Sequence, residues 1–203
     1  MTQPNWEEEL YSEEEYLGLE GASERKHEFW YGHIIAMAGA KDSHVSLASQ
    51  ASRALNNRLD DSTCQAGNGD LRVRLEEGQA YSYPDVVVWC EDAKWGDYSH
   101  VTLLNPRVLI EILSASTGGR DWNVKLPAYK RIPELLDYLI ISQSRVGIEH
   151  FRRNERGIWE NYSYNRRLQT IHFAFEDLHI PVGEIYRRVD VPEQLGLWDD
   201  DAG

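Results

Sequence analysis

Glu111 is the residue whose setting most demands an explanation. It stands inside the apolar run Val108-Leu109-Ile110-Glu111-Ile112-Leu113, which predicts a strand covered on both faces. An ionised carboxylate there carries a large desolvation cost, so it must be paired with a base, protonated or bound to a cation. Asp85 poses a milder version of the problem. It lies between Pro84 and the run Val86-Val87-Val88-Trp89-Cys90, at the opening of a second strand, where a preceding proline is tolerated. Two carboxylates side by side on adjacent strands form a hard-oxygen site suited to Mg²⁺. Water activated by such an ion is the usual nucleophile in phosphodiester hydrolysis. That chemistry also calls for a cation near the reacting centre. Lys125, fourteen residues after Glu111, is expected one turn into the following helix, with the reach to return to the strand ends. A structural reading stands beside this one: Glu111 and Lys125 as a buried ion pair, and Asp85 as a turn-forming acid. A buried ion pair is a weak source of stability, which favours the metal site.

The elements that must position these groups can be traced along the chain. Ser12-Glu13-Glu14-Glu15 is a capping-box pattern that opens a short helix ending near Gly18 or Gly21. Phe29 to Ala38, broken at Gly32, reads as a hairpin. Asp42 or Ser43 can cap a helix beginning at His44, in which Val45, Ala48, Ala51, Leu55 and Leu59 recur at helical spacing. Leu71, Val73 and Leu75 alternate with Arg72, Arg74 and Glu76, a half-buried strand. Residues 91–105 form a long connection between the two acid-bearing strands. Asp121 to Arg131 is expected to be helical, with Pro127 early enough to bend rather than abolish it. Tyr138 to Ser142 is a further buried strand. Val146 to Phe151 and Ile158 to Tyr164 flank Asn154-Glu155-Arg156-Gly157, a hairpin signature. Leu168 to Phe173 is expected to continue that meander, and Pro181 to start a last short helix through Tyr186.

Composition narrows the class. The chain has 203 residues, of which 41% are hydrophobic, which suits one domain with a real core. A single domain over 1–190 and an acidic, disordered tail over 191–203 are expected. No apolar run is long enough to span a bilayer. The opening residues carry neither a basic region nor an apolar stretch of the secretory kind; a cytoplasmic protein without membrane attachment is expected. Cys64 and Cys90 lack the spacing of a zinc site or disulfide framework and read as two reduced thiols. Net charge is −13, an unpromising sign for a nucleic-acid binder. The acidity sits at the ends, however. Residues 1–28 hold nine Glu against Arg25 and Lys26, and residues 190–203 hold five acids and no base. What lies between is nearly neutral, so any contact with DNA is expected to be weak or transient. The seven tryptophans read as core or dimer-interface residues rather than base-stacking platforms.

The residues resemble a known family. Tyr83-Pro84-Asp85-Val86-Val87-Val88, then Val108-Leu109-Ile110-Glu111-Ile112-Leu113-Ser114, then Ser116-Thr117, Asp121, Lys125-Leu126-Pro127 and Tyr129 look like the Uma-type family of restriction endonucleases, within the PD-(D/E)XK nuclease superfamily. The resemblance also takes in Glu28 with Gly32 and Met37, then His44, then Asp70 with Arg72 and Val73. It continues through Ile132-Pro133-Glu134-Leu135 and Tyr138 to Ser142 as far as the hairpin with Arg152, Arg153, Gly157 and Trp159. It implies an α/β (α+β) restriction-endonuclease-like core: a central mixed β-sheet flanked by helices, here followed by a C-terminal β-meander. It also implies a Mg²⁺-dependent endodeoxyribonuclease, with Mn²⁺ as a substitute ion. Asp85 and Glu111 would hold the metal, Lys125 and Glu28 would join them as catalytic groups, and His44 and Asp70 would assist. In the superfamily's usual pattern a lysine follows the second acid by two positions. Leu113 occupies that position here, so the resemblance implies that the lysine has moved to Lys125.

Arg72 and Arg74 are the candidates for contact with substrate phosphates, although exposed arginines on strands are ordinary. Cutting a duplex calls for two sites, so a homodimer is expected. Two other readings remain open: a non-catalytic binding or interaction protein that retains the nuclease fold, and a hydrolase of another phosphate ester. The acidic balance and the missing strand lysine favour the former.

Overall fold

The computed structural model describes residues 10–37, 39, 41–113 and 121–193. Ser114, Ser116 and Thr117 of the resemblance, and the acidic tail beyond Glu193, lie outside the described residues. Among the described residues, two sheets and the helices packed on them position the site.

The first helix, α1 (Glu13–Ala22), carries the expected capping box between Ser12 and Glu15. It is followed by β1 (His27–Trp30) and β2 (His33–Ala36), an antiparallel hairpin. Its turn requires positive φ at both Tyr31 and Gly32, the geometry that matches the natural twist of paired strands. α2 (Asp42–Asn56) buries Leu47, Ala51, Ala54 and Leu55 at successive turns. Two expectations fail here. Val45 is exposed, and neither Asp42 nor Ser43 caps the helix: Lys41 is the N-cap residue, without a side-chain bond. The Ser43 hydroxyl donates instead to Gln143 Oε1 at 3.2 Å.

A smaller sheet has the order β2-β1-β5-β4-β7 and takes in β4 (Arg72–Glu76), β5 (Ala80–Ser82) and the two-residue β7 (Thr102–Leu103). A larger sheet has the order β11-β10-β9-β8-β6-β3. Its strands are β3 (Cys64–Asn68), β6 (Val86–Cys90), β8 (Val108–Leu113), β9 (Asp137–Ser142), β10 (Ile148–Arg153) and β11 (Trp159–Tyr164). In it only the β8–β9 pair is parallel; its other neighbours run antiparallel. The fold is therefore α+β with mixed central sheets flanked by helices. β12 (Thr170–His172) does not extend the meander as expected. It pairs with β13 (His179–Pro181) in a separate two-stranded sheet. Asp137 explains this departure. Its buried carboxylate accepts the backbone N–H groups of Ala174 and Phe175 at 2.9 and 2.8 Å, turning the chain away from β11.

Two cores lie on the two faces of the larger sheet. α2 and the short α4 (Val182–Ile185) cover one face, where Leu47, Ala51, Val86, Val88, Ile110 and Ile112 pack together. The other face meets the smaller sheet: Val87, Leu109, Tyr138 and Ile140 pack against Trp30, Val73 and Ala80. Into this second core fits a π-turn, Asp121–Lys125, running directly into α3 (Leu126–Tyr129). Pro127 accounts for the irregular start, because it has no N–H to donate back along the helix. Such wide turns recur at functional sites.

The two cysteines are not the expected free thiols. The register of β3 against β6 sets Cys64 directly opposite Cys90, and the two are joined as a disulfide. Their 26-residue separation gave no hint of this, because the pairing depends on strand register and not on spacing.

Candidate active site

The register of the two acid-bearing strands puts Asp85 and Glu111 at the same end of the larger sheet. Val86 pairs with Ile110 and Val87 with Leu109, so Asp85 enters β6 at the end where Glu111 stands in β8. Asp85 is held there from both sides. Its Oδ2 accepts the backbone N–H of Ile112 at 2.7 Å. Its Oδ1 lies 2.8 Å from His44 Nε2, which arrives from the first turn of α2 on the other side of the sheet. The Asp85 side chain is 17% exposed. It borders a cleft of about 690 Å³ whose walls include Lys26, His44, Arg53, Asn68 and Asp70.

Glu111 points into the inter-sheet core and is almost dry at 5% exposure. Its Oε1 accepts from Lys125 Nζ at 2.9 Å and from the Tyr129 hydroxyl at 2.6 Å. Four residues separate these donors, the spacing that sets two side chains on one helix face. The same ammonium lies 2.9 Å from Glu28 Oε1. Glu28, on β1, also accepts from Ser82 Oγ at 2.7 Å and from Trp30 Nε1 at 3.2 Å. Ser82 Oγ and the Tyr129 hydroxyl close the ring at 2.9 Å. Burial, and then the Glu111 charge, push the Tyr129 phenol well above its ordinary value, so it remains a donor. Lys125 thus clamps one carboxylate from each sheet. Bridging them this way answers the desolvation problem that the sequence posed for Glu111.

The other sequence candidates divide. His44 joins the site through Asp85. Asp70 lines the cleft and pairs with Lys26; the Lys26 hydrogen bond holds its carboxyl below the ordinary range. The two substrate-binding candidates do not join them. Arg72 is buried and donates to Thr102 Oγ1 at 2.9 and 2.7 Å, with its guanidinium over the Tyr81 ring at 5.5 Å. Arg74 lies 3.9 Å from Glu77. Neither lines the cleft. Alternation placed Arg72 on an open face, but the connection bearing Thr102 covers it.

Sequence reasoning gave no role to Tyr129, Ser82, Trp30 or Lys26. Tyr129 alone left a signal, its helical spacing from Lys125. A second buried polar pair also escaped notice. His150 Nε2 lies 2.7 Å from Asp137 Oδ1, both residues fully buried, and together they pin the β12–β13 hairpin rather than line the cleft.

Among the described residues no group of three or more His, Cys, Asp or Glu side chains is arranged to hold a metal ion. A pair of carboxylates is nonetheless a fitting donor set for Mg²⁺, which is commonly bound by one or two carboxylates, with water and phosphate oxygens completing its shell. Asp85, at the rim of an open cleft, and Glu111, in the dry inter-sheet core, would supply such a pair, all oxygen.

Comparison with known proteins agrees with this architecture. Residues 13–183 match the family Uma2, described as "Putative restriction endonuclease". An uncharacterized protein of Synechocystis sp. is 35% identical over 178 residues, covering 87% of this chain and 91% of the relative. A second uncharacterized protein of the same organism is 37% identical over 139 residues, covering 68% of this chain and 78% of its own length. The crystal structure of a "putative nuclease" belonging to DUF820 from Anabaena variabilis superposes with a TM-score of 0.71 at 16% identity, covering 86% of this chain and 96% of that one. At that identity the likeness shows a shared fold. Among the described residues no helix is long and apolar enough to cross a membrane.

Proposed function

The chain belongs to the Uma2 family, and from that premise we propose that it is a Mg²⁺-dependent endodeoxyribonuclease hydrolysing phosphodiester bonds at the Asp85–Glu111 pair. The observation that supports this reading is the strand register that puts both acids at one end of the larger sheet, Asp85 bordering an open cleft and Glu111 backed by a buried lysine. Asp85 and Glu111 would hold the ion. When bound, Mg²⁺ supplies charge neutralisation at the phosphate and a more acidic water.

The chain's own groups prepare that position. The Ile112 N–H and His44 fix the Asp85 carboxylate in one orientation. Tyr129 and Lys125 fix Glu111 through Oε1. Lys125 holds a positive charge beside Glu111, which would offset negative charge growing on a phosphate bound there. Glu28, tied by Ser82 and Trp30, holds the ammonium from the opposite sheet. Asp70 and Lys26 form the cleft wall and assist from there. Mn²⁺ would serve in place of Mg²⁺. The unit works as a single domain, and cutting both strands of a duplex would need two copies, a homodimer.

The dryness of the Glu111–Lys125 pair favours a second reading, a binding protein that keeps the fold without turnover. Calorimetry with Mg²⁺ or Mn²⁺, alongside cleavage of plasmid and oligonucleotide DNA, separates the two. Metal binding and cleavage that are both lost in Asp85→Ala and Glu111→Ala support the nuclease. A chain that binds neither ion and leaves DNA intact is the binding protein. Light scattering on the purified chain tests the dimer.

A further inference from the structure

A second recess lies along the ends of β8, β9 and β11 and the start of β10. It has a volume of about 330 Å³, and its walls include Trp122, Ser142, Arg145, Glu149, Ser163 and Asn165. The sheet order fixes its place. Ser142 ends β9, Gly147 precedes β10, and the register pairs Leu113 with Ser142 and Ile141 with Ile148. At this same end Asp85 enters β6, its Oδ2 accepting the Ile112 N–H at 2.7 Å. From β8 to β10 is about 10 Å at ~4.8 Å per strand. Stacked DNA, at ~3.4 Å per nucleotide of one strand, covers that distance in about three nucleotides, and fewer when extended. The loop joining β9 to β10 also touches α2 beside His44, through the Ser43–Gln143 bond, so recess and cleft flank the same point.

The lining suits a nucleotide. Trp122 is 37% exposed, and its ring is held edge-on by Phe151 with centroids 5.7 Å apart. An anchored but open indole face is a stacking platform. Arg145 is exposed, and among the described residues no carboxylate pairs with it. Glu149 accepts from Ser163 Oγ at 2.7 Å and Asn161 Nδ2 at 3.2 Å, which fixes an acceptor where the edge of a base would lie. Trp122 thereby departs from the core or interface role that its residue type suggested.

We propose that this recess is a subsite for an unpaired nucleotide of the strand being cut, the base stacking on Trp122 and its phosphate meeting Arg145. The proposal rests on the nuclease reading and gives that site a substrate class, DNA with an unstacked base beside the scissile bond. A base inside a duplex is stacked on both faces and cannot stack on the indole without leaving the helix.

The test uses the full chain in EDTA, so that nothing is cut, with short single-stranded oligonucleotides carrying a 5′ fluorophore for anisotropy or 2-aminopurine at successive positions. Trp122→Ala and Arg145→Ala should each weaken single-strand binding about tenfold, within the range that loss of one stacked base gives. Trp122→Phe should retain most of the affinity. One 2-aminopurine position should be quenched by the native chain and not by Trp122→Ala. Arg145 is exposed, so its variant keeps the test valid if Trp122→Ala disturbs the fold. Native-like binding by Arg145→Ala and by a folded Trp122→Ala, in a chain that still cuts DNA, overturns the subsite and leaves the nuclease standing. A native chain that neither binds nor cuts any DNA overturns both.

Discussion

Lys125 Nζ, arriving from the helical segment after β8, lies 2.9 Å from Glu111 Oε1, whereas Leu113 stands two positions after the acid. The same ammonium serves Glu28. Lys125→Met should therefore leave two buried carboxylates without the cation that joins them. Urea denaturation should show a loss of about 3 kcal/mol or more, and DNA cleavage should fall by at least about 100-fold. Leu113 alternates onto the same face as Glu111, and Leu113→Lys in the Lys125→Met background should recover part of the cleavage. No recovery in a folded double variant would show that the helix position itself matters.

His44 Nε2 lies 2.8 Å from Asp85 Oδ1. Removing a group that orients a ligating carboxylate weakens metal binding by about 10 to 100-fold. His44→Ala should lower Mn²⁺ affinity by about tenfold in calorimetry, with melting temperature little changed. An unchanged affinity would reduce His44 to a helix-start residue.

Acid stability should depend on a pair far from the cleft. Arg58, beyond the end of α2, donates to Glu184 of α4 at 2.8 Å, and this bond is the chief cause of a Glu184 pKa below the ordinary 4.5. A carboxyl with a depressed folded pKa contributes stability that is present above its unfolded value and lost as pH falls through the folded one. Arg58→Ala should thus cost roughly 1 kcal/mol at neutral pH. The difference from the native chain should shrink as pH drops below 4.5. A gap that persists at low pH would point to lost packing of the arginine stem instead.

The Cys64–Cys90 bond can be checked by counting thiols. Alkylation in denaturant without reductant should label neither cysteine, and both after reduction. Changing the pair to serine should lower stability by about 2 to 4 kcal/mol. Two freely labelled thiols in chain taken directly from cytoplasm would agree with the reducing compartment that the sequence suggested.

The candidate site was partly legible in the sequence because burial and charge conflict at Glu111. Glu111 betrays itself as one acid among five apolar neighbours, and Asp85 by its place before Val86 and after Pro84. Local signals also carried the capping box at Ser12 and the Asn154–Gly157 turn. What could not be read depends on distant segments coming together. Nothing near Glu28 announces Ser82 or Lys125, and nothing near Arg72 announces Thr102. Asp137, just before the apolar run Tyr138 to Ser142, is fully buried, because His150 and two backbone amides from beyond residue 173 satisfy it. Pairing of the cysteines turns on a register that a shift of one residue would undo.

Glu28 and Ser82 belong to the smaller sheet, Glu111 to the larger, and Lys125 and Tyr129 to the short helical insert wedged between them. The acids therefore acquire their shared ammonium only after the two halves have docked, and competence becomes a property of the interlock rather than of either half. Mild loosening of the smaller half would disarm the chain while the broad strand framework carrying Asp85 and Glu111 still stood.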